Sequence, residues 1–317
     1  MGKKKLAMGG FAALAVILNI LIIWTDILPV WSKVACCVAV ILVAAVCALM
    51  VEDLLRIPLE IFRDRGMFLT IVKNDFQARF AGSYLGLFWA YVQPVITLCL
   101  YWFVFQFGLR SGNVSDHPFI LYLMAGLIPW FYFSESWGGA SGSLVEYSYL
   151  VKKVVFNVNF LPVIKVCSAM FVHLVFVCIV TLLSLIYGYG IHPWLLQICY
   201  YMFCNMILVL GISYMTAACT VFFRDMTQIV NIILTMGIWI TPIMWNPEAT
   251  MSRKLLMIFR LNPMYYIVDG FRDSLLDKVW FWEKPVWSIY FWCFALGVYL
   301  IGVKMFNRLK VHFSDVL

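Results

Sequence analysis

The chain has 317 residues, of which 64% are hydrophobic, 17% aromatic and only 12% charged. Soluble domains are roughly 45–50% apolar and about 25% charged, so at a mean hydropathy of +0.92 a single water-exposed globule could not hide this much apolar surface. A soluble enzyme, a disordered chain and a nucleic-acid-binding domain are excluded, and the net charge of +7 reads as cations retained beside the cytoplasmic face of an all-α polytopic membrane protein.

A spanning helix needs about 20 mostly apolar residues, and eight segments qualify: Leu6–Trp24, Val34–Val51, Tyr84–Leu109, Phe119–Leu144, Val163–Tyr187, Leu195–Phe222, Gln228–Trp245 and Val286–Phe306. The first follows Lys3, Lys4 and Lys5. It reads as an anchor rather than a signal peptide, because no small-x-small site follows at Thr25–Pro29 and a second apolar run comes at once. With the amino terminus inside, 15 of the 23 cations fall on the inner side and six of the other eight lie in one long outer segment. That distribution follows the positive-inside rule and places both termini in the cytoplasm.

Between the second and third spans, residues 52–82 mix charges with apolar residues. Leu69, Val72, Phe76 and Phe80 recur at helical spacing, with Lys73 and Arg79 off that face. This pattern predicts an amphipathic helix in the inner interface; a short soluble helix packed on a partner is the alternative. Residues 146–162 are too polar to span. They predict a short cytoplasmic helix around Tyr149–Phe156, stopped before Pro162 and suited to a soluble partner, against the alternative of a solvated connector. Residues 246–285 carry apolar runs too short to cross, punctuated by Pro247, Pro263 and Gly270. Two short, partly re-entrant outer helices fit, with a solvated outer loop as the alternative.

The ten cysteines lie almost wholly in apolar runs with no Cys-x-x-Cys spacing, so they read as packing residues rather than metal ligands or bridges. No phosphate-cradling Gly-rich motif occurs, and no catalytic set is visible. His173 sits within a span beside no carboxylate of its own helix and reads as a packing residue. Glu135 is the most intramembrane acid and hence a functional candidate. Trp24, Trp31, Trp194, Trp280, Trp282 and Trp287 lie near span ends, where amphipathic rings settle. Trp89, Tyr91, Trp102, Trp130, Tyr214 and Trp239 lie deeper, where rings either pack against lipid or stack on sugar faces.

Several stretches in order resemble the permease subunit of ABC type-2 exporters of bacterial surface polysaccharides, the group that handles O-antigen, capsule and wall teichoic acid. Residues 73–86 with Phe88, Trp89 and Pro94 are similar to the family's approach to its first span, and Gly126–Trp130 with Ser141–Ser143 to its second. Leu150–Phe156 with Leu161 and Pro162 look like its coupling helix. Phe222–Met226, Thr241–Trp245, Asn262 with Pro263, and Gly270–Arg272 complete the pattern. The likeness covers about residues 65–310. The first 55 residues depart from it as an extra two-span hairpin before a six-span domain over 56–317.

The resemblance implies a homodimer of this chain with two separate ABC subunits, which would carry ATP and Mg, in the bacterial cytoplasmic membrane. No cofactor and no nucleic acid are implied for the chain itself. An undecaprenyl-linked glycan would pass through a channel at the dimer interface. Tyr147, Tyr149, Leu150, Lys152, Lys153, Phe156 and Arg224 would take the ATPase stroke; Lys73 and Arg79 would face the lipid headgroup. Trp89, Tyr91, Trp102, Trp130, Tyr214 and Trp239 would line the channel, and Trp245, Tyr265 and Tyr266 would form the outer gate. Rival expectations are a type-2 exporter of drugs or small lipids, and a membrane-embedded acyltransferase using Glu135 or His173.

Overall fold

The computed structural model describes residues 9–317 except residues 11, 14, 18, 21, 24–29, 80–81, 110–113, 115–116 and 153–155. Helices dominate; among the described residues the one extended pairing is a single bridge between Val114 and His117. In chain order the main helices are α1 (Val30–Leu49), α2 (Val51–Arg63), α3 (Arg65–Ala78), α4 (Trp89–Phe103), α5 (Phe119–Glu146) and α6 (Phe160–Ile186). Then come α7 (Gln197–Phe222), α8 (Met226–Ile240), α9 (Arg253–Arg260), α10 (Pro263–Arg272) and α11 (Pro285–Leu309).

Helix α5 is the axis of the molecule. Its 28 residues reach about 42 Å at 1.5 Å per residue, enough to cross a hydrocarbon core of roughly 30 Å. An apolar stretch of its length has 78% of its residues inside the protein, against 11% for the span built on α4. Helices α6 and α7 flank α5, α11 packs on α7, and α10 inserts among α5, α7 and α11. Helix α4 touches the bundle through one side only, and α3 crosses α6.

Small residues decide where helices can come closest. A Cβ built on Gly302 of α11 would lie 2.2 Å from the carbonyl oxygen of Gly211 on α7, and one on Gly211 would lie 2.7 Å from the amide nitrogen of Tyr299. The two backbones therefore touch, as small-residue seams in membranes permit. Gly302→Ala is expected to lower stability by about 1–3 kcal/mol through overpacking. The check is thermal melting in detergent beside Gly297→Ala, whose Cβ meets nothing within 4 Å and which should be neutral or slightly stabilising.

The two ends of the bundle gather different loops. At one end Glu60 bonds the residue 157–159 turn, and Phe313 of the carboxyl-terminal turn packs on Phe222 and Phe306. At the other, His117 meets Tyr189 at 2.6 Å and Asp277 at 3.0 Å, and Gln197 bonds the Val279 carbonyl and the Phe281 amide. Thus α5, α6, α7 and α11 each run from end to end.

Among the described residues, five helices are long and apolar enough to cross a membrane, or six if α1 and α2, bent by 53° at their junction, count as one broken span. Of the eight expected spans, Leu6–Trp24 falls only partly within the described residues; there Ala15 and Ile22 are buried with Cys36 and Val40 in a small cluster of their own, against Ile289 of α11. The expected span Gln228–Trp245 is corrected. Helix α8 has only 15 residues and ends at Ile240, and a buried non-helical turn, Thr241–Met244, follows it. Thr241 turns extended because Pro242 follows it. The stop before Pro162 is also corrected. Pro162 lies in the first turn of α6, where its missing N–H has no intrahelical partner to lose.

Candidate coupling and gating sites

The interfacial segment forms as two helices, α2 and α3, broken at Asp64. The face of α3 that packs on the bundle is Phe68, Val72, Asp75 and Arg79, which shares only Val72 with the apolar stripe read from spacing. Leu69 is 62% exposed, Phe76 is half-buried and Phe80 lies outside the described residues. Lys73 is exposed, so it and Arg79 part company.

Asp75 is buried, and its carboxylate is shared by three helices. Lys165 of α6 contacts Oδ1 at 2.7 Å, and the Tyr147 hydroxyl at the end of α5 donates to the same oxygen at 2.5 Å. Ser168 of α6 donates to Oδ2 at 2.5 Å. Arg79 donates to Ser168 at 2.7 Å and to Asp75 Oδ2 at 3.5 Å, and its other terminal nitrogen pairs with Glu135 of α5. Lys165 extends the network to Glu146 at 2.6 Å, with its ammonium 5.0 Å above the Tyr147 ring. Burial alone would raise the Asp75 carboxyl, but the bonds from Lys165, Ser168 and Tyr147 outweigh it and hold it below the usual range. Burial and the bond to Asp75 push the Tyr147 phenol well up, so it stays a donor. A buried charge is tolerated only when paired and hydrogen-bonded, and here each charge is.

The segment after α5 is gripped at both ends. Of the expected helix over Tyr149–Phe156, one turn is helical at its start, Ser148–Val151, and residues 153–155 lie outside the described residues. Tyr147 ties its start to Asp75. Glu60 of α2 accepts from Asn157 at 2.8 Å and from Asn159 at 3.0 Å, and Tyr214 of α7 donates to the Asn159 carbonyl at 2.7 Å. Between these anchors Tyr149 and Lys152 are exposed, Leu150 and Phe156 are half-buried, and Lys153 lies outside the described residues. Arg224, in the turn between α7 and α8, is exposed. Tyr214→Phe removes one bond to a buried carbonyl that also starts α6 and should cost about 0.5–1.5 kcal/mol, read as a lower melting temperature while insertion and assembly persist.

At the opposite end, the turn that ends α8 is held by side chains from three directions. Arg272 of α10, 5% exposed, donates to the Ile243 carbonyl at 2.8 Å and lies 3.6 Å over the Tyr122 ring of α5. Tyr122 donates to the Trp245 carbonyl at 3.2 Å, and Asn262 donates to the Thr241 hydroxyl at 2.8 Å while capping α10. Gly126 makes room here, because a Cβ would meet the Ile243 side chain at 3.0 Å and the Arg272 guanidinium at 3.2 Å and would push them by a few tenths of an ångström. Trp245 is half-buried edge-on to Phe259. Tyr265 and Tyr266 are buried, with Tyr266 bonded to Tyr200 and Ser288. Beside them Lys284 bridges Asp269 at 2.7 Å and Asp273 at 2.6 Å. Burial, reinforced by Asp269, raises the Asp273 carboxyl, and the two carboxylates outweigh burial to raise the Lys284 ammonium.

The deep aromatics separate into two groups. Trp89 and Trp239 are exposed, and Tyr91 and Trp102 are half-buried. Trp130 and Tyr214 lie in the interior of the bundle. Trp130 is buried against Gly237 of α8, and Tyr214 is fully buried with its hydroxyl used on Asn159. Glu135 turns to Arg79, whereas His173 stacks on Tyr132 at 4.8 Å with Phe271 at 6.0 Å, so these two are not assembled into one site. Sequence reasoning passed over Asp75, Lys165, Ser168, Glu60, Tyr122 and Arg272 as site residues. The available signal was Lys165 within a long apolar run, which demands a buried partner.

These features define a multi-pass membrane protein with a polar linkage at one end and a braced non-helical turn at the other. The family model for ABC-2 type transporters matches residues 67–276, and the chain belongs to that family. It is similar to two curated permeases. The O-antigen export system permease protein RfbA of Klebsiella pneumoniae is 26% identical over 255 residues, covering 79% of this chain and 95% of that protein. That of Myxococcus xanthus is 28% identical over 222 residues, covering 69% and 84%.

Proposed function

We propose that this chain is the membrane subunit of an ATP-driven exporter of a bacterial surface polysaccharide, working as a homodimer with two separate ABC ATPase subunits in the cytoplasmic membrane. The cargo is a glycan carried on an undecaprenyl pyrophosphate lipid, of the O-antigen or teichoic acid type. The observation that carries the reading is the linkage through Asp75. Through Tyr147 it joins the start of the Ser148–Val151 turn, whose Tyr149 is exposed, to the interfacial helix α3 and the spanning helices α5 and α6. Tyr149, Lys152, Lys153 and Arg224 would take the stroke, and the Tyr147–Asp75 bond would pass it to α3. To act, that stroke must favour one arrangement of α3 by differential contact, since equal binding to two states shifts nothing.

The seam between two copies would use α4 and α8. Their outward faces carry Trp89, Ile96, Leu100 and Phe103, and Ile232, Met236 and Trp239, respectively. Rings along such a seam offer many weak contacts, which hold a polymer without fixing it.

The test is reconstitution in vesicles with the neighbouring ATPase. ATP hydrolysis stimulated by a lipid-linked glycan, with glycan delivered across the bilayer, is the expected result. Stimulation by a drug or a simple lipid with none by glycan would overturn the reading.

A further inference from the structure

A partly open recess is left unused by the coupling and bracing described above. It lies at the outer end, where α9, α10 and the start of α11 converge on Tyr201 of α7. Its volume is about 120 Å³. An ordered water requires roughly 10–15 Å³ of such space, so the recess holds about ten waters' worth of atoms, the size of one six-membered sugar ring with its hydroxyls.

Its chemistry is mixed. Arg260 stands 6.0 Å from the Tyr265 ring and 5.5 Å from the Trp287 ring. Asp269 and Asp273 each present one carboxylate oxygen to Lys284, and their second oxygens remain as acceptors. The Asp269 and Lys284 side chains are about one-third exposed, so the recess opens outward. Carboxyl and cationic groups alternate around the recess, with Lys284 already held between Asp269 and Asp273, so no cluster of one sign is set out for a phosphate or an ammonium. Carboxylate, guanidinium and ammonium groups beside aromatic edges suit a ligand with adjacent neutral hydroxyls and an apolar ring face.

We infer that this recess is a subsite for a single neutral sugar residue, set behind the outer gate and formed by Asp269, Asp273, Lys284, Arg260, Tyr265 and Trp287. The inference rests on the polysaccharide reading. It adds to it a place where one sugar is held by hydrogen bonds, distinct from the ring-lined seam between subunits. A held sugar at the exit would stop the polymer from sliding back between strokes.

The experiment is saturation-transfer NMR on the full chain in a sugar-free zwitterionic detergent. The probes are methyl glycosides of neutral hexoses at about 10 mM, since ligands of this size bind in the millimolar range. Transfer to the ring protons is expected for the wild type, with a loss of about fivefold or more in Asp269→Asn and in Trp287→Ala. Asp315→Asn, at the other end of the molecule, should match the wild type. Thermal melting identifies any variant that fails to fold, and Tyr265→Phe, which keeps the ring and removes only the hydroxyl, then serves in its place. No transfer with wild-type protein, equal transfer in all folded variants, or phosphate binding that Asp269→Asn does not change would each overturn the subsite. Surface glycan in cells is scored separately. Export without sugar binding removes the subsite alone, and sugar binding by a chain that exports no glycan removes the functional reading while the recess stands.

Discussion

Asp75→Asn is expected to abolish export while leaving the chain inserted and its ATPase bound. The substitution keeps a side chain able to meet Ser168 and Tyr147, but it removes the charge that Lys165 faces at 2.7 Å. Lys165 is 4% exposed, and breaking a buried pair by deleting one partner costs about 3–5 kcal/mol because the other charge is left uncompensated. Glu146 still contacts Lys165 at 2.6 Å, which puts the loss toward the lower end. At roughly 2–4 °C per kcal/mol the melting temperature should fall by about 6 °C or more. The double variant Asp75→Asn with Lys165→Met removes both charges and should recover part of that stability without recovering export. A cycle with no coupling between the two positions, or export at the wild-type rate in Asp75→Asn, would refute the role given to the linkage. Acid should not mimic the substitution at mild pH. A carboxyl held below its unfolded value contributes fully above about pH 4 and loses its contribution only as pH falls through the depressed value.

Arg272→Met should release the turn that ends α8. The side chain both donates to the Ile243 carbonyl and covers the Tyr122 face at 3.6 Å. Leaving that carbonyl unpaired costs about 1–3 kcal/mol, and a desolvated cation over a ring adds about 2 kcal/mol. The expected total is about 3–5 kcal/mol at the outer end. Protease protection of the Asn246–Arg260 region should fall, while the inner end keeps its protection. Arg272→Lys should restore little, because an ammonium cannot lie flat on the ring while donating in the plane of the turn. A lysine variant with wild-type protection would show that charge alone braces the turn.

Much of the fold is legible from hydropathy. The runs that become α5, α6, α7 and α11 are long, apolar and bounded by polar or Pro/Gly stretches, so both their existence and their order follow. The break after α8 was hidden because Thr241–Trp245 is as apolar as a helix. Its irregular backbone is held by side chains distant in the chain: Arg272, 29 positions on, with Tyr122 and Asn262. The inward face of α3 was hidden for a related reason. In an interfacial helix both flanks are apolar, so the spacing of Leu69, Val72 and Phe76 describes a lipid-side stripe as well as a packed one. Asp75, the residue that decides which side is inside, breaks the apolar pattern.

The buried linkage is the least legible part. Asp75 and Ser168 are 93 positions apart, and Arg79 and Ser168 89. Each of these residues alone reads as an ordinary interfacial or helix-end polar group. Membrane residence, the absence of a motor motif and the distribution of cations were settled by composition and charge, because transfer into hydrocarbon is a sum over residues that does not depend on how they meet. Which charges neutralise one another, which aromatics are spent on packing, and where a sugar-sized recess opens were decided only when the helices came together. Those properties depend on ångström-scale contacts between distant segments, and no local pattern encodes them.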